Sequence, residues 1–261
     1  MKKKDTQNLI GVILIAAVLI IIFIGGYFFA NYEPVILDQN TGCVKDSGPE
    51  KYYVIIVDNT ESLTAIQKSD VKNKIYKIID SVLPNDKVII YSLNDSPLNN
   101  IKPLIEKCSL RDGSDYNKWT ENKKLLKKRK FELFDAPITK ALNDMMVIDK
   151  AAQFSPIIEL IQKIRINDLP DSETGKTMQI HLFSDLLQNS KNFSFYDPSY
   201  NIDQFLKSNN FNRISSDLSG IDVFIWQLNN SLINPSDLVY FWEEVLRKMN
   251  SDISQLNRIS G

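Results

Sequence analysis

A chain of 261 residues with 43% hydrophobic, 24% charged and 10% aromatic side chains can build a packed core, and its 9 glycines and 10 prolines are too few for a fibrous or low-complexity polymer. The 31 basic and 32 acidic residues leave a net charge of −1, which excludes the broad polybasic surface of a non-specific nucleic-acid binder, so no nucleic-acid partner is expected. A single histidine and two cysteines exclude multi-histidine and four-cysteine zinc sites.

No charge occurs from Leu9 to Tyr32, and Leu9–Ala30 is nearly all Leu, Ile, Val, Ala, Phe and Gly. A helix of that length spans a hydrocarbon core about 30 Å thick, and the segment lacks the polar stripe that a buried core helix keeps. The run is too long for a signal-peptide core, and Phe28 is too large for the −3 position of a cleavage site before Asn31, so a retained signal-anchor is expected. Lys2, Lys3 and Lys4 precede the span, and the next basic residue after it is Lys45. The positive-inside rule then keeps residues 1–8 in the cytoplasm, places the anchor at 9–30 and exports the rest. Cys43 and Cys108 fall on the exported, oxidising side, where a disulfide is expected in preference to two buried thiols. Residues 31–50, with Pro34, Gly42, Gly48 and Pro49, read as a linker.

From residue 51 the pattern alternates between strand and helix. Tyr52–Asp58 is a continuous apolar run ending in a carboxylate, as expected for a parallel strand covered on both faces. Val71, Ile75, Ile78, Ile79 and Val82 repeat at helical spacing, Pro84-Asn85-Asp86 turns the chain, and Lys87–Leu93 is a second strand. Ile101–Cys108 reads as an edge strand because of Pro103. A polar loop follows, then a helical stretch, Glu121–Met146, that Pro137 is expected to break or restart. Ser155-Pro156 has the form of an N-cap and first position for a helix over Ile157–Ile166. Met178–Asp185 and Asp222–Leu228 are further strands, Ser236–Met249 is a closing helix, and 251–261 is read as a tail. The order predicts an α/β domain over 51–250 with a doubly wound, mostly parallel sheet flanked by helices.

Chemistry is expected where two of these strands end, at Asp58 and Asp185, because ligands of open parallel sheets bind beyond the carboxyl ends of the strands. Asp58, Thr60 and Ser62 alternate, so an extended turn can aim all three at one point. Carboxylates and hydroxyls form a hard, all-oxygen donor set suited to Mg²⁺, Mn²⁺ or Ca²⁺, of which Mg²⁺ or Mn²⁺ is the expected cofactor. These residues resemble the metal-ion-dependent adhesion site of the von Willebrand factor A (vWA) domain, written DxSxS, then a Thr, then an Asp. Asp58-x-Thr60-x-Ser62 is similar to the first element, with Thr60 in place of a Ser. Ser155 stands for the Thr, and Ser184-Asp185 resembles the strand-end [ST]DG, with Leu186 where Gly is usual. Cys108-Ser109-Leu110-Arg111-Asp112-Gly113-Ser114 and Phe241-Trp242-Glu243 resemble segments of the small, single-span bacterial envelope members.

The resemblance implies a vWA/Rossmann-like fold and a protein-binding module without covalent chemistry. The ion would be held by Thr60, Ser62 and Ser155, with Asp58 and Asp185 acting directly or through water, and a partner's Asp or Glu would fill the open position. It also implies a bacterial inner-membrane protein with a single span, a cytoplasmic N-terminus and a periplasmic or extracellular domain. Two alternatives stand beside it. One is a metal-free envelope scaffold of the same fold. The other is an Asp-dependent phosphohydrolase, whose motif needs a second Asp where Thr60 stands. His181 lies inside a strand and reads as a packing residue, Phe241 and Trp242 as core, and Asp112–Asp115 as a turn. Lys123–Lys130, six basic residues in eight, reads as a solvated helix face, with an anionic-envelope contact as its sharper alternative.

Overall fold

The computed structural model describes residues 3–31, 35–147, 151–229 and 232–259. The chain forms two compact units, Met1–Ile36 and Leu37–Gly261. The first contains helix α1 (Lys3–Ala30). Its segment Ile10–Ala30, 21 residues with a mean hydropathy of 2.9 and no buried part, is long and apolar enough to cross a membrane.

The second unit is built on a six-stranded sheet of order β3-β2-β1-β4-β5-β6. The strands are β1 (Lys51–Asp58), β2 (Lys87–Leu93), β3 (Ile105–Cys108), β4 (Thr177–Ser184), β5 (Ile221–Gln227) and β6 (Ile253–Arg258). All neighbours run parallel except β2 and β3. Side chains alternate across β1, so Val54 and Ile56 join one core and Tyr53, Ile55 and Val57 the other. The first core is closed by α5 (Ile157–Asn167), α6 (Ile202–Leu206), α7 (Asn209–Ile214) and α8 (Pro235–Lys248). The second is closed by α2 (Ala65–Asp80) and α4 (Ala136–Val147). This is the doubly wound α/β arrangement expected, and the continuous apolar runs of β1 and β4 follow from burial on both faces.

Several local expectations change. Pro137 does not break its helix: α3 (Lys123–Lys130) passes through a π-helical turn, Phe131–Asp135, into α4. Pro137 has no N–H to give residue 133, and the wider turn, with Ala136 N–H donating to Phe131 O, accommodates its ring. The stretch read as a linker is folded from Leu37 onward. Leu37 bridges Val44, Cys43 is disulfide-bonded to Cys108, and Asn85 ties the loop down by accepting from Val44 N–H (3.0 Å) and donating to Gly48 O (2.6 Å). The tail includes β6, whose polar sequence Ile-Ser-Gln-Leu-Asn-Arg suits a half-exposed sheet edge and shows little hydrophobic period. As expected, Phe241 and Trp242 are core residues.

Candidate functional site

The chain leaves β1 toward β2 on one side and β4 toward β5 on the other, so the switch point of the sheet lies between β1 and β4. Val57 pairs with Phe183, so Asp58 and Ser184 reach the carboxyl edge side by side.

Asp58 is buried and is the centre of the site. Its Oδ1 accepts from Thr60 N–H (3.1 Å) and Thr60 Oγ1–H (2.6 Å). Its Oδ2 accepts from Ser155 Oγ–H (3.0 Å) and Ser184 Oγ–H (2.8 Å). Four donors fill the acceptor capacity of a carboxylate. Three hydroxyls from three separate chain segments are thereby fixed with their hydrogens turned to Asp58, which leaves oxygen lone pairs for an outside partner. Burial pushes the Asp58 carboxyl up, and the hydrogen bonds from Thr60, Ser184 and Ser155 oppose this.

Ser155 is not the helix cap that its sequence context suggests. Its hydroxyl is committed to Asp58, and its backbone exchanges hydrogen bonds with Asn189 (2.8 and 2.9 Å). Gln188 caps α5 instead by accepting from Ile158 N–H (3.1 Å). Helix α2 has its own capping box, Thr64 with Gln67, which leaves Thr60 and Ser62 out of that role.

Asp185, one residue beyond β4, accepts from Leu187 N–H (3.1 Å). Its carboxyl is pushed up to about 7, first by burial and then by the charge of Asp58. Leu186, where glycine was the pattern, adopts φ 70° and is fully buried. Its N–H donates to Ser184 Oγ (2.8 Å) and its carbonyl accepts from Trp242 Nε1–H (3.0 Å). Trp242 therefore anchors the turn that presents Asp185.

Two adjoining cavities open at this edge. The larger, about 260 Å³, is lined by Thr60, Glu61, Ser155, Asp185, Asn189 and Tyr196 among others. The smaller, about 40 Å³, includes Asp58, Thr60, Ser62, Gln67 and Asp185. Thr60, Glu61 and Asp185 line both, and among the described residues no lysine or arginine lines either. Ser62 is exposed and donates nothing to Asp58, so it borders the site without being fixed by it. Ser184, outside the expected ligand set, joins Thr60 and Ser155 on Asp58. Its signal was the hydroxyl next to the strand-end Asp. Tyr196 Oη donates to Glu61 (2.8 Å) and spans the mouth. Among the described residues no three His, Cys, Asp or Glu side chains cluster, so any ion here would depend on hydroxyl oxygens.

No protein-family model matches the chain, and comparison with curated proteins finds no match. Among solved structures it is similar to an aerotolerance-related membrane protein from Bacteroides fragilis NCTC 9343, at 13% identity, over 80% of this chain and 92% of that one, with a TM-score of 0.40.

Proposed function

We propose that this chain is a membrane-anchored, vWA-like protein-binding module. Its exported domain holds Mg²⁺ or Mn²⁺ at the β1/β4 edge and binds a partner's Asp or Glu there. The observation that supports this most directly is the convergence of Thr60, Ser155 and Ser184 on Asp58. A carboxylate that has bound the hydrogens of three hydroxyls gathers electron-rich oxygens around buried negative charge. Asp185 faces the same space and lines both cavities. This donor set fits a hard divalent ion. Thr60, Ser155 and Ser62 would hold it, Asp58 would orient the hydroxyls, and Asp185 would supply charge directly or through water. The ion would contribute an electropositive coordination position that a partner carboxylate can complete. The positive-inside pattern at Lys2–Lys4 supports a cytoplasmic N-terminus and a domain outside the inner membrane, where the Cys43–Cys108 bond is stable.

The test uses the full chain in detergent. Mg²⁺ or Mn²⁺ should raise the thermal midpoint, with a linkage gain of roughly 2.7 kcal/mol when free metal is 100-fold above its dissociation constant. Asp185→Asn should abolish the gain and leave a folded domain. No metal binding by isothermal titration at millimolar concentration would leave the metal-free scaffold as the reading. Hydrolysis of a phosphomonoester that stops in Asp58→Asn would instead establish the phosphohydrolase.

A further inference from the structure

The continuous helical stretch from Lys123 to Val147 is longer than the sheet it packs on. It comprises 25 residues, roughly 37 Å of helix, against strands of 7 or 8 residues that rise roughly 26 Å. Its far end is fixed at the carboxyl edge, where Asn59 Nδ2–H donates to Met145 O (3.4 Å). Phe134, Ile138, Leu142 and Met145 pack into the second core. The first two turns, α3, therefore overhang the opposite edge, and none of their residues is buried.

That opposite edge is also where the chain enters the domain. Cys108 pairs with Lys87 at the start of β2, is bonded to Cys43, and donates its N–H to Thr41 O (2.8 Å). Five residues later, Gly113 lies against the first turns of α3, so close that a Cβ there would come within 3.2 Å of Lys123 and 3.3 Å of Leu126. Six residues separate Ala30, the end of the apolar helix, from Leu37, the start of the domain. A chain that short reaches at most ~25 Å.

The overhang has the chemistry of a membrane interface. Lys124, Lys127, Lys128 and Phe131 share one helical face (i, i+3, i+4, i+7). Among the described residues, Lys124, Lys127 and Arg129 make no ion pair. Leu125 and Phe131 are 61% and 58% exposed, and Trp119, on the preceding loop, is 95% exposed. An indole without packing partners costs exposed apolar area in water, whereas in the headgroup region it is favoured, with basic side chains reaching the phosphates.

We propose that α3 and Trp119 dock on anionic lipid headgroups of the membrane that holds the chain's own anchor. This sets the sheet edge bearing Asp58 and Asp185 away from the bilayer, toward a partner. The inference rests on the reading of Ile10–Ala30 as a span. It does not depend on a metal at the site.

The experiment reconstitutes the full chain in liposomes of neutral phosphatidylcholine, or of phosphatidylcholine with about one third phosphatidylglycerol. Co-flotation with both reports the anchor. Docking is read from quenching of Trp119 fluorescence by brominated lipid, with Trp119→Phe identifying that signal against buried Trp242 and half-buried Trp226. Quenching is expected in the anionic bilayer, and weakly or not at all in the neutral one or at high salt. Each basic residue near such a surface is worth about fivefold in the docking equilibrium. The triple variant Lys124→Glu, Lys127→Glu, Arg129→Glu should therefore lower the docked-to-undocked ratio more than a hundredfold, with an unchanged unfolding midpoint. Equal quenching in the two bilayers, no quenching in either, or a salt-insensitive signal in the wild-type chain would overturn the proposal. The last would do so even if the triple variant misfolded. A chain that fails to co-float refutes the anchor, and the docking with it.

Discussion

Leu186 offers a test of how the turn after β4 is held. At φ 70° an L-residue sits in the left-handed region, which costs roughly 1–2 kcal/mol, and glycine avoids most of that cost. The leucine side chain is nevertheless fully buried in the first core. Truncation of a buried leucine to alanine costs about 3–5 kcal/mol. At an ordinary position glycine would then be worse than alanine by about 0.5–1 kcal/mol. Here the order should be level or reversed, because alanine keeps the backbone strain that glycine releases. The two hydrogen bonds of this residue, N–H to Ser184 Oγ and carbonyl from Trp242 Nε1, are made by the main chain and survive both substitutions. Leu186→Ala and Leu186→Gly should both be folded and destabilised by about 3 kcal/mol, with Leu186→Gly no less stable than Leu186→Ala. Equilibrium urea unfolding of the full chain in detergent, followed by the fluorescence of buried Trp242, measures the difference. A glycine variant less stable than the alanine variant by 1 kcal/mol or more would refute the strain argument and show that burial alone decides this position.

Reduction of the Cys43–Cys108 bond, which closes a loop with a sequence separation of 65, should lower stability by about 4 kcal/mol, and urea midpoints unchanged by reductant would contradict this. Burial holds His181 down to about 4. The stability from its neutral ring is complete above the ordinary imidazole value of about 6.5 and falls by up to about 3 kcal/mol as pH drops toward 4. His181→Phe should flatten that acid slope while keeping the stacking with Tyr53 and Phe224, and an unchanged slope would count against it. Asp185 acts with the opposite sign. A folded-state value raised to about 7 means that the metal-free domain gains stability as pH falls through 7 toward the ordinary carboxylate range, a gain that Asp185→Asn should remove. If calorimetry shows the same rise in Asp185→Asn, another group is responsible. Gly113→Ala should destabilise by about 1–3 kcal/mol, since its φ of 78° strains any L-residue and a Cβ at 3.2 Å from Lys123 would crowd the first turns of α3; a thermal midpoint equal to wild type would contradict the packing of α3 on this loop.

Patterns that depend on the period of burial were legible from the chain alone. The apolar run at Leu9–Ala30, the doubly covered strands β1 and β4, and the helical spacing from Val71 to Ile79 each follow from which faces must leave water, and that requirement is local. So was the position of Asp58 and Asp185 at strand ends, because an apolar run that stops at a carboxylate marks its own edge. What hydrogen-bonds to what was not legible. A serine before a proline at a helix start has the form of a cap. Ser155 became a partner of Asp58, 97 residues away, only because the sheet brought β1 and β4 together and Asn189 held its backbone there. The half-polar edge strand β6 and the folding of 37–50 onto the domain likewise depend on neighbours, β5 and the Cys108 segment, that supply pairing the local sequence does not encode. Pro137 shows the same limit in reverse: its ring forbids an ideal helix locally, and packing of Phe134 and Ile138 on the second core makes a widened turn cheaper than a break.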